Sequence, residues 1–160
     1  MSQVTLLDGP FKDAMMRTDK YLRSLDPDRF LHYFRLVAGL DTVAPPYGVW
    51  KQLEVRGHTL GHYLSACAMI YASSGDTVLR DRANYTIYVF AECQEAIGTG
   101  YLSAYPDEFI DRVENKQRVG APYYMLHKIM AGLYDSYILL NNQKALDVLK
   151  GMGDWLSGRY

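Results

Sequence analysis

Apolar side chains recur every three or four residues along most of this chain, the spacing of amphipathic helices rather than strands. One short extended piece, Val4 to Leu7, stops at an Asp8-Gly9-Pro10 turn and is suited to pairing with a sheet outside the chain. The first helix is predicted from about Phe11 to Leu25, with Phe11, Met15, Thr18, Leu22 and Leu25 at helical spacing. Asp26-Pro27 opens a second, because aspartate accepts a hydrogen bond as N-cap and proline fits the first helical position. Phe30, Phe34 and Val37 give that helix a core stripe, and Gly39 ends it. From Leu40 to Arg56 the periodicity is lost around Pro45, Pro46, Gly48 and Trp50, and a connection of that length usually shapes a site. A third helix, Gly57 to Ser74, ends at Gly75. Asp76 then caps a fourth that carries Leu79, Ala83, Ile87, Phe90 and Ile97 inward. Gly98 to Gly120 reads as a second long connection. A fifth helix follows from about Pro122 to Leu140, and the Asn141-Asn142 turn leads into a sixth through Trp155.

The third helix opens with GHTLGHYLSA, Gly57 to Ala66. At 3.6 residues per turn, His58, His62, Ser65 and Met69 share one face, while Leu60, Leu64, Cys67 and Tyr71 share the opposite one. So few charges predict that both faces are buried, one of them polar, as in an inner wall around a site. An offset of 65 residues superposes His62 on His127, Leu64 on Ile129 and Ala66 on Ala131, so the fifth helix repeats the third. Helix hairpins alternating with long loops predict an all-α fold, an α/α toroid whose inner helices line a cavity and whose loops gather at one rim. Three hairpins make about half of an (α/α)6 barrel, here as a single helical domain over residues 1–160. Half a ring leaves apolar inner-helix edges exposed, so self-association or a missing C-terminal portion is expected.

Composition narrows the chemistry. The net charge is −1 and charged residues make up 22% of the chain, which argues against a nucleic-acid partner or a basic membrane patch and for a small or neutral ligand. Fourteen tyrosines are many for 160 residues, and tyrosine offers both a ring face and a hydroxyl, which suits sugars as well as helix interfaces. Cys67 and Cys93 lie in predicted helices without CxxC spacing and read as free core thiols. No uncharged stretch reaches transmembrane length and no signal peptide is evident, so a soluble chain is expected, cytoplasmic or secreted with its leader absent.

Histidines at i and i+4 resemble the HExxH zinc motif, but Thr59 stands where the glutamate would be, and a three-histidine site with His127 has nothing further to support it. Two ordinary readings remain for the histidines: partners to helix-end carbonyls or tyrosine hydroxyls, or ligands to a sugar. Asp107, Glu108 and Asp111 offer the paired carboxylates of glycoside hydrolysis, yet among neighbouring basic residues they read better as a solvated surface. Glu54, four residues before His58, is the better-placed single carboxylate. There is no glycine-rich phosphate loop and no GxSxG elbow.

Several longer motifs stand in order: VTLLDGPF at Val4 to Phe11, LDPDRFL at Leu25 to Leu31, the Tyr47 to Trp50 segment, GHTLGHYLSA, GTGYL at Gly98 to Leu102, and PYYMLHKIMAGLYD at Pro122 to Asp135. Together they resemble the N-terminal catalytic region of the β-L-arabinofuranosidases of glycoside hydrolase families 127 and 146, across almost the whole chain. The resemblance implies an (α/α)6 barrel and retaining hydrolysis of β-L-arabinofuranosides from plant glycans, with a zinc-bound cysteine thiolate as nucleophile and a glutamate as acid/base. In that family the glutamate and the cysteine-rich zinc motif lie downstream of PYYxLHK, beyond Tyr160, and Cys67 and Cys93 do not match them. No catalytic or metal-binding residue and no cofactor is therefore assigned within this chain, and zinc is expected only in the full-length domain. What the resemblance carries over is substrate binding, by His127 and by His58 and His62 at an inner-helix mouth. Trp50, Tyr101 and Tyr124 are expected as walls for an arabinose-containing oligosaccharide. A non-catalytic helical-repeat module that binds carbohydrate or protein is the alternative.

Overall fold

The computed structural model describes residues 4–48 and 56–159. Among these the chain forms seven α-helices and no strand: α1 (Pro10–Ser24), α2 (Pro27–Val37), α3 (His58–Ser74), α4 (Thr77–Ile97), α5 (Glu108–Glu114), α6 (Pro122–Leu140) and α7 (Gln143–Ser157). The expected extended piece at residues 4–7 has no regular structure and is exposed.

Local chemistry sets most of the boundaries. The Asp26 side chain accepts from the Asp28 amide ahead of α2, and Asp76 accepts from Val78 and Leu79 ahead of α4. Asn142 accepts from the Ala145 amide and so starts α7. Gly75 and Gly98 end α3 and α4 at φ 76°, a left-handed conformation that costs glycine little.

Two hairpins, α3–α4 and α6–α7, lie side by side. Their contacts advance in the same direction along both members of each pair. Along α3 and α6, His58 faces Tyr124, Gly61 faces Lys128, and Leu64 faces Gly132. Along α4 and α7, Asn84 meets Asn142, and the Gln94 side chain reaches the Val148 carbonyl at 2.9 Å. Thus α3 is parallel to α6 and α4 to α7, as the 65-residue repeat requires, with Leu64 and Ile129 both fully buried.

Glycines set the spacing of α3 and α6. A Cβ built on Gly132 would stand 2.5 Å from the Gly61 carbonyl oxygen, and one built on Gly61 would stand 2.8 Å from the Ile129 nitrogen and closer still to the Lys128 carbonyl. The two backbones therefore cross in direct contact.

The expected third hairpin does not form. Met15 meets Ser73 near the end of α3, Phe30 packs on Tyr63, and Tyr33 lies beside Arg56 just before α3 begins. So α2 runs antiparallel to α3, while α1 lies near the C-terminal end of α3, with Met15 at Ser73 and Arg23 paired with Asp76. The reason is local: Leu25 and Asp26 are both extended, at ψ 137° and ψ 115°, and carry the chain onward instead of reversing it. Arg82 of α4 holds the join by donating to the Arg23 and Leu25 carbonyls, each at 2.7 Å.

The core is continuous from Leu31 and Phe34 through Leu64, Ile87 and Phe90 to Ile129, Leu133 and Met152. Phe11, expected in the stripe of α1, is 79% exposed. It lies a turn before Met15, where no described helix covers it.

Candidate functional site

The start of α3 follows from Gly57, which takes a left-handed φ of 99° and offers no side-chain cap. A Cβ there would come 2.8 Å from the Ala104 methyl, so backbone conformation and crowding both select glycine. His58 is the first helical residue. Its ring stands edge-on to His62 at 6.2 Å and lies 5.9 Å from the Tyr124 ring on α6. Tyr124 and His127 are three residues apart on α6 and so share a face, and both are exposed. Lys128 places its ammonium 5.1 Å over the Tyr124 ring.

His58, His62, Tyr124 and His127 thus form an exposed imidazole and phenol patch at the N-terminal end of the parallel α3–α6 pair. The face of α3 expected to be buried and polar is open among the described residues: His62 is exposed and Met69 is 37% exposed, because no described element packs there. His58 is half-buried, and its Nδ1 has no hydrogen-bond partner among the described residues, so the reading in which a carbonyl or hydroxyl satisfies it does not hold there for that atom. Burial, and secondarily the neighbouring His62, hold the His58 imidazole below its usual pKa. A neutral imidazole both donates and accepts, which suits a hydroxyl ligand.

Behind His58 lies a pocket of about 70 Å³ between α2, the connection after it and the start of α3. Arg29, Tyr33, Tyr47, Arg56 and His58 line it. Each arginine is braced twice. Arg29 sits 4.0 Å from the Tyr47 ring centroid and donates Nε to the Pro45 carbonyl at 3.2 Å. Arg56 sits 4.4 Å from the Tyr33 centroid and donates Nε to the Ala104 carbonyl at 2.7 Å. Neither guanidinium is paired with a carboxylate among the described residues.

Of the residues expected as walls, Tyr124 is exposed beside His58, and Trp50 lies outside the described residues, as does Glu54. Tyr101 is a correction. It is 2% exposed, donates its hydroxyl to the Tyr105 carbonyl at 2.8 Å and packs against Trp155, so its ring faces are spent inside the core. Residues 101–105 are all buried, which makes this part of the second connection core rather than rim.

Of the acidic residues further along that connection, Glu108 and Asp111 are exposed, in keeping with a solvated surface. Arg159 donates to Glu114 and Asp111, and this pairing holds the Glu114 carboxyl below the usual range. Among the described residues no three His, Cys, Asp or Glu side chains gather as a metal-ligand set, so His58, His62 and His127 do not converge on one ion. Cys67 and Cys93 are fully buried, and burial pushes each thiol up to about 11, the opposite of what a metal-bound or nucleophilic thiolate needs. They do not fit a zinc site. Sequence reasoning missed Arg29 and Arg56, although both sit in or beside the longer motifs, in LDPDRFL and directly before GHTLGH.

No helix among the described residues is long and apolar enough to cross a membrane. No curated protein matches the chain. A family model described as β-L-arabinofuranosidase, GH127 catalytic domain, matches residues 3–160.

Proposed function

We propose a function whose premise is the family: this chain belongs to the GH127 β-L-arabinofuranosidase catalytic-domain family, and its site is a sugar-binding surface for glycoside hydrolysis. In this reading α3 and α6 are neighbouring inner helices of an α/α barrel. His58, His62 and His127 hydrogen-bond the hydroxyls of an L-arabinofuranosyl residue of a plant-type glycan, and Tyr124 supplies a ring face for its C–H surface. The observation that carries the reading is the half-buried His58, lacking an internal partner at Nδ1 and grouped with His62 and Tyr124.

No step of hydrolysis is assigned to these residues. Zinc, implied by the family, finds no ligand set among them, so nothing here is routed through it. The apolar margin of the same face, Met69, Tyr134 and Ile138, is read as the edge along which a barrel continues, through further chain or a second copy. Light scattering that returns a monodisperse monomer would remove the second copy.

The test is titration with L-arabinose, followed by the imidazole resonances and by calorimetry. Shifts at His58, His62 and His127, with affinity at least ~10-fold weaker in His127→Ala, are expected from loss of a hydrogen bond to a bound hydroxyl, about 1.4 kcal/mol. Unchanged affinity in a His58→Ala/His127→Ala double variant that stays folded would refute the assignment and leave the helical-repeat binding module standing.

A further inference from the structure

The pocket behind His58 has a chemistry that the histidine patch lacks. Two guanidinium groups face one small cavity, each fixed in orientation by a tyrosine ring and by an Nε bond to a backbone carbonyl. With Nε engaged, the two Nη groups of each arginine stay available as an end-on fork, the geometry that matches a carboxylate. Asp28, the acid of α2, accepts from the Tyr85 hydroxyl at 2.6 Å and is within ion-pair distance of neither arginine. The N-terminus of α3, which has no side-chain cap, borders the pocket at Gly57 and Thr59, and its dipole favours negative charge there.

A pocket of about 70 Å³ has room for a carboxylate. His58 lines this pocket and also faces Tyr124, so a ligand ring lying on the histidine patch is adjacent to the pocket mouth.

We propose that the Arg29–Arg56 pocket binds the carboxylate of an acidic sugar, a uronate, adjoining the neutral sugar at the histidine patch, so that the glycan recognised is an acidic one. This deepens the reading above and rests on it. It also reverses for one corner what the overall charge of −1 suggests, because both arginines lack an acidic partner among the described residues.

The experiment compares D-galacturonate with D-galactose, and L-arabinose with both, by calorimetry at low salt on the whole chain. Galacturonate is expected to bind at least 10-fold more tightly than galactose, and 0.5 M salt should erase most of the difference. Arg29→Gln should bring the two affinities together while leaving L-arabinose binding unchanged, and Arg29→Lys should restore only part of the preference, since lysine keeps the charge but not the fork. Should Arg56→Gln fail to fold through loss of its bond to Ala104, Arg29→Gln and the salt series still decide the matter. Equal binding of galacturonate and galactose, or a uronate preference that survives Arg29→Gln, overturns the proposal. Inorganic phosphate binding as tightly as galacturonate overturns its sugar part and leaves a bare oxyanion pocket. L-arabinose binding without uronate preference defeats this inference alone; absence of L-arabinose binding defeats the reading it rests on.

Discussion

Gly61→Ala puts a methyl group into the contact between α3 and α6. The new carbon would lie 2.8 Å from the Ile129 nitrogen and nearer still to the Lys128 carbonyl, whereas ordinary contact begins at 3.4 Å. Those atoms are backbone within a helix and cannot rotate aside, so the helices must part by roughly 1 Å or more. Parting them also loosens the core that Leu64, Ile129 and Leu133 share. Overpacking of this kind costs about 1–3 kcal/mol, and a rigid obstacle places it near the top of that range. Alanine returns about 1 kcal/mol of helix propensity, leaving a net loss of about 2 kcal/mol. For a chain of 160 residues that corresponds to a fall in Tm of about 4–8 °C. Thermal unfolding followed by circular dichroism measures it. Gly153→Ala in α7 is the control, because nothing lies within 4 Å of the added methyl and propensity alone should raise Tm by about 2–4 °C. If both variants shift Tm upward alike, α3 and α6 do not touch backbone to backbone and the account of their spacing is wrong.

Arg82→Met should cost about 1.5–3 kcal/mol in urea unfolding, since two carbonyls at the α1–α2 join lose a charged donor; a loss under 0.5 kcal/mol would mean that water replaces it freely. The His58 imidazole should titrate below the ordinary 6.5 by NMR and move upward in His62→Ala, and no movement would exclude His62 as a cause. The linkage sign follows: the folded pKa is depressed, so the unfolded chain binds the proton more readily and the stabilising contribution is lost as pH falls from 6.5 through the folded value. In the native protein at pH 8, Cys67 and Cys93 should react with a thiol reagent only as fast as the chain opens, because both are fully buried and held near 11; rapid labelling without denaturant would contradict their placement in the core.

Caps and periodicity were legible because they are local. Asp26, Asp76, Gly75 and Gly98 act at the positions where the sequence puts them, since a cap depends on a few bonded neighbours. The seven residues of α5 escaped because a helix with one buried residue, Ile110, shows no period. Tyr101 misled for a different reason: a loop rich in aromatics looks the same whether it lines a rim or fills a core. The uncharged run YLSAY, ahead of PDE, was the available signal. The patch was readable from the repeat, which aligns His62 with His127. The arginine pocket was not, because residues 29 and 56 meet only once α2 turns out to lie along α3 antiparallel rather than folding back on α1.

The buried run 101–105 bears on how the two hairpins relate mechanically. The Tyr105 hydroxyl bonds the Pro122 carbonyl at the head of α6, and the Ala104 carbonyl accepts from Arg56 at the head of α3. A connector usually acts as a hinge; this one is pinned at both ends and filled between. Tilting one hairpin against the other would break those bonds and lift Tyr101 off Trp155 together. The angle between repeats, and with it the curvature that a longer array would inherit, is therefore set in part by five loop residues as well as by the helix faces.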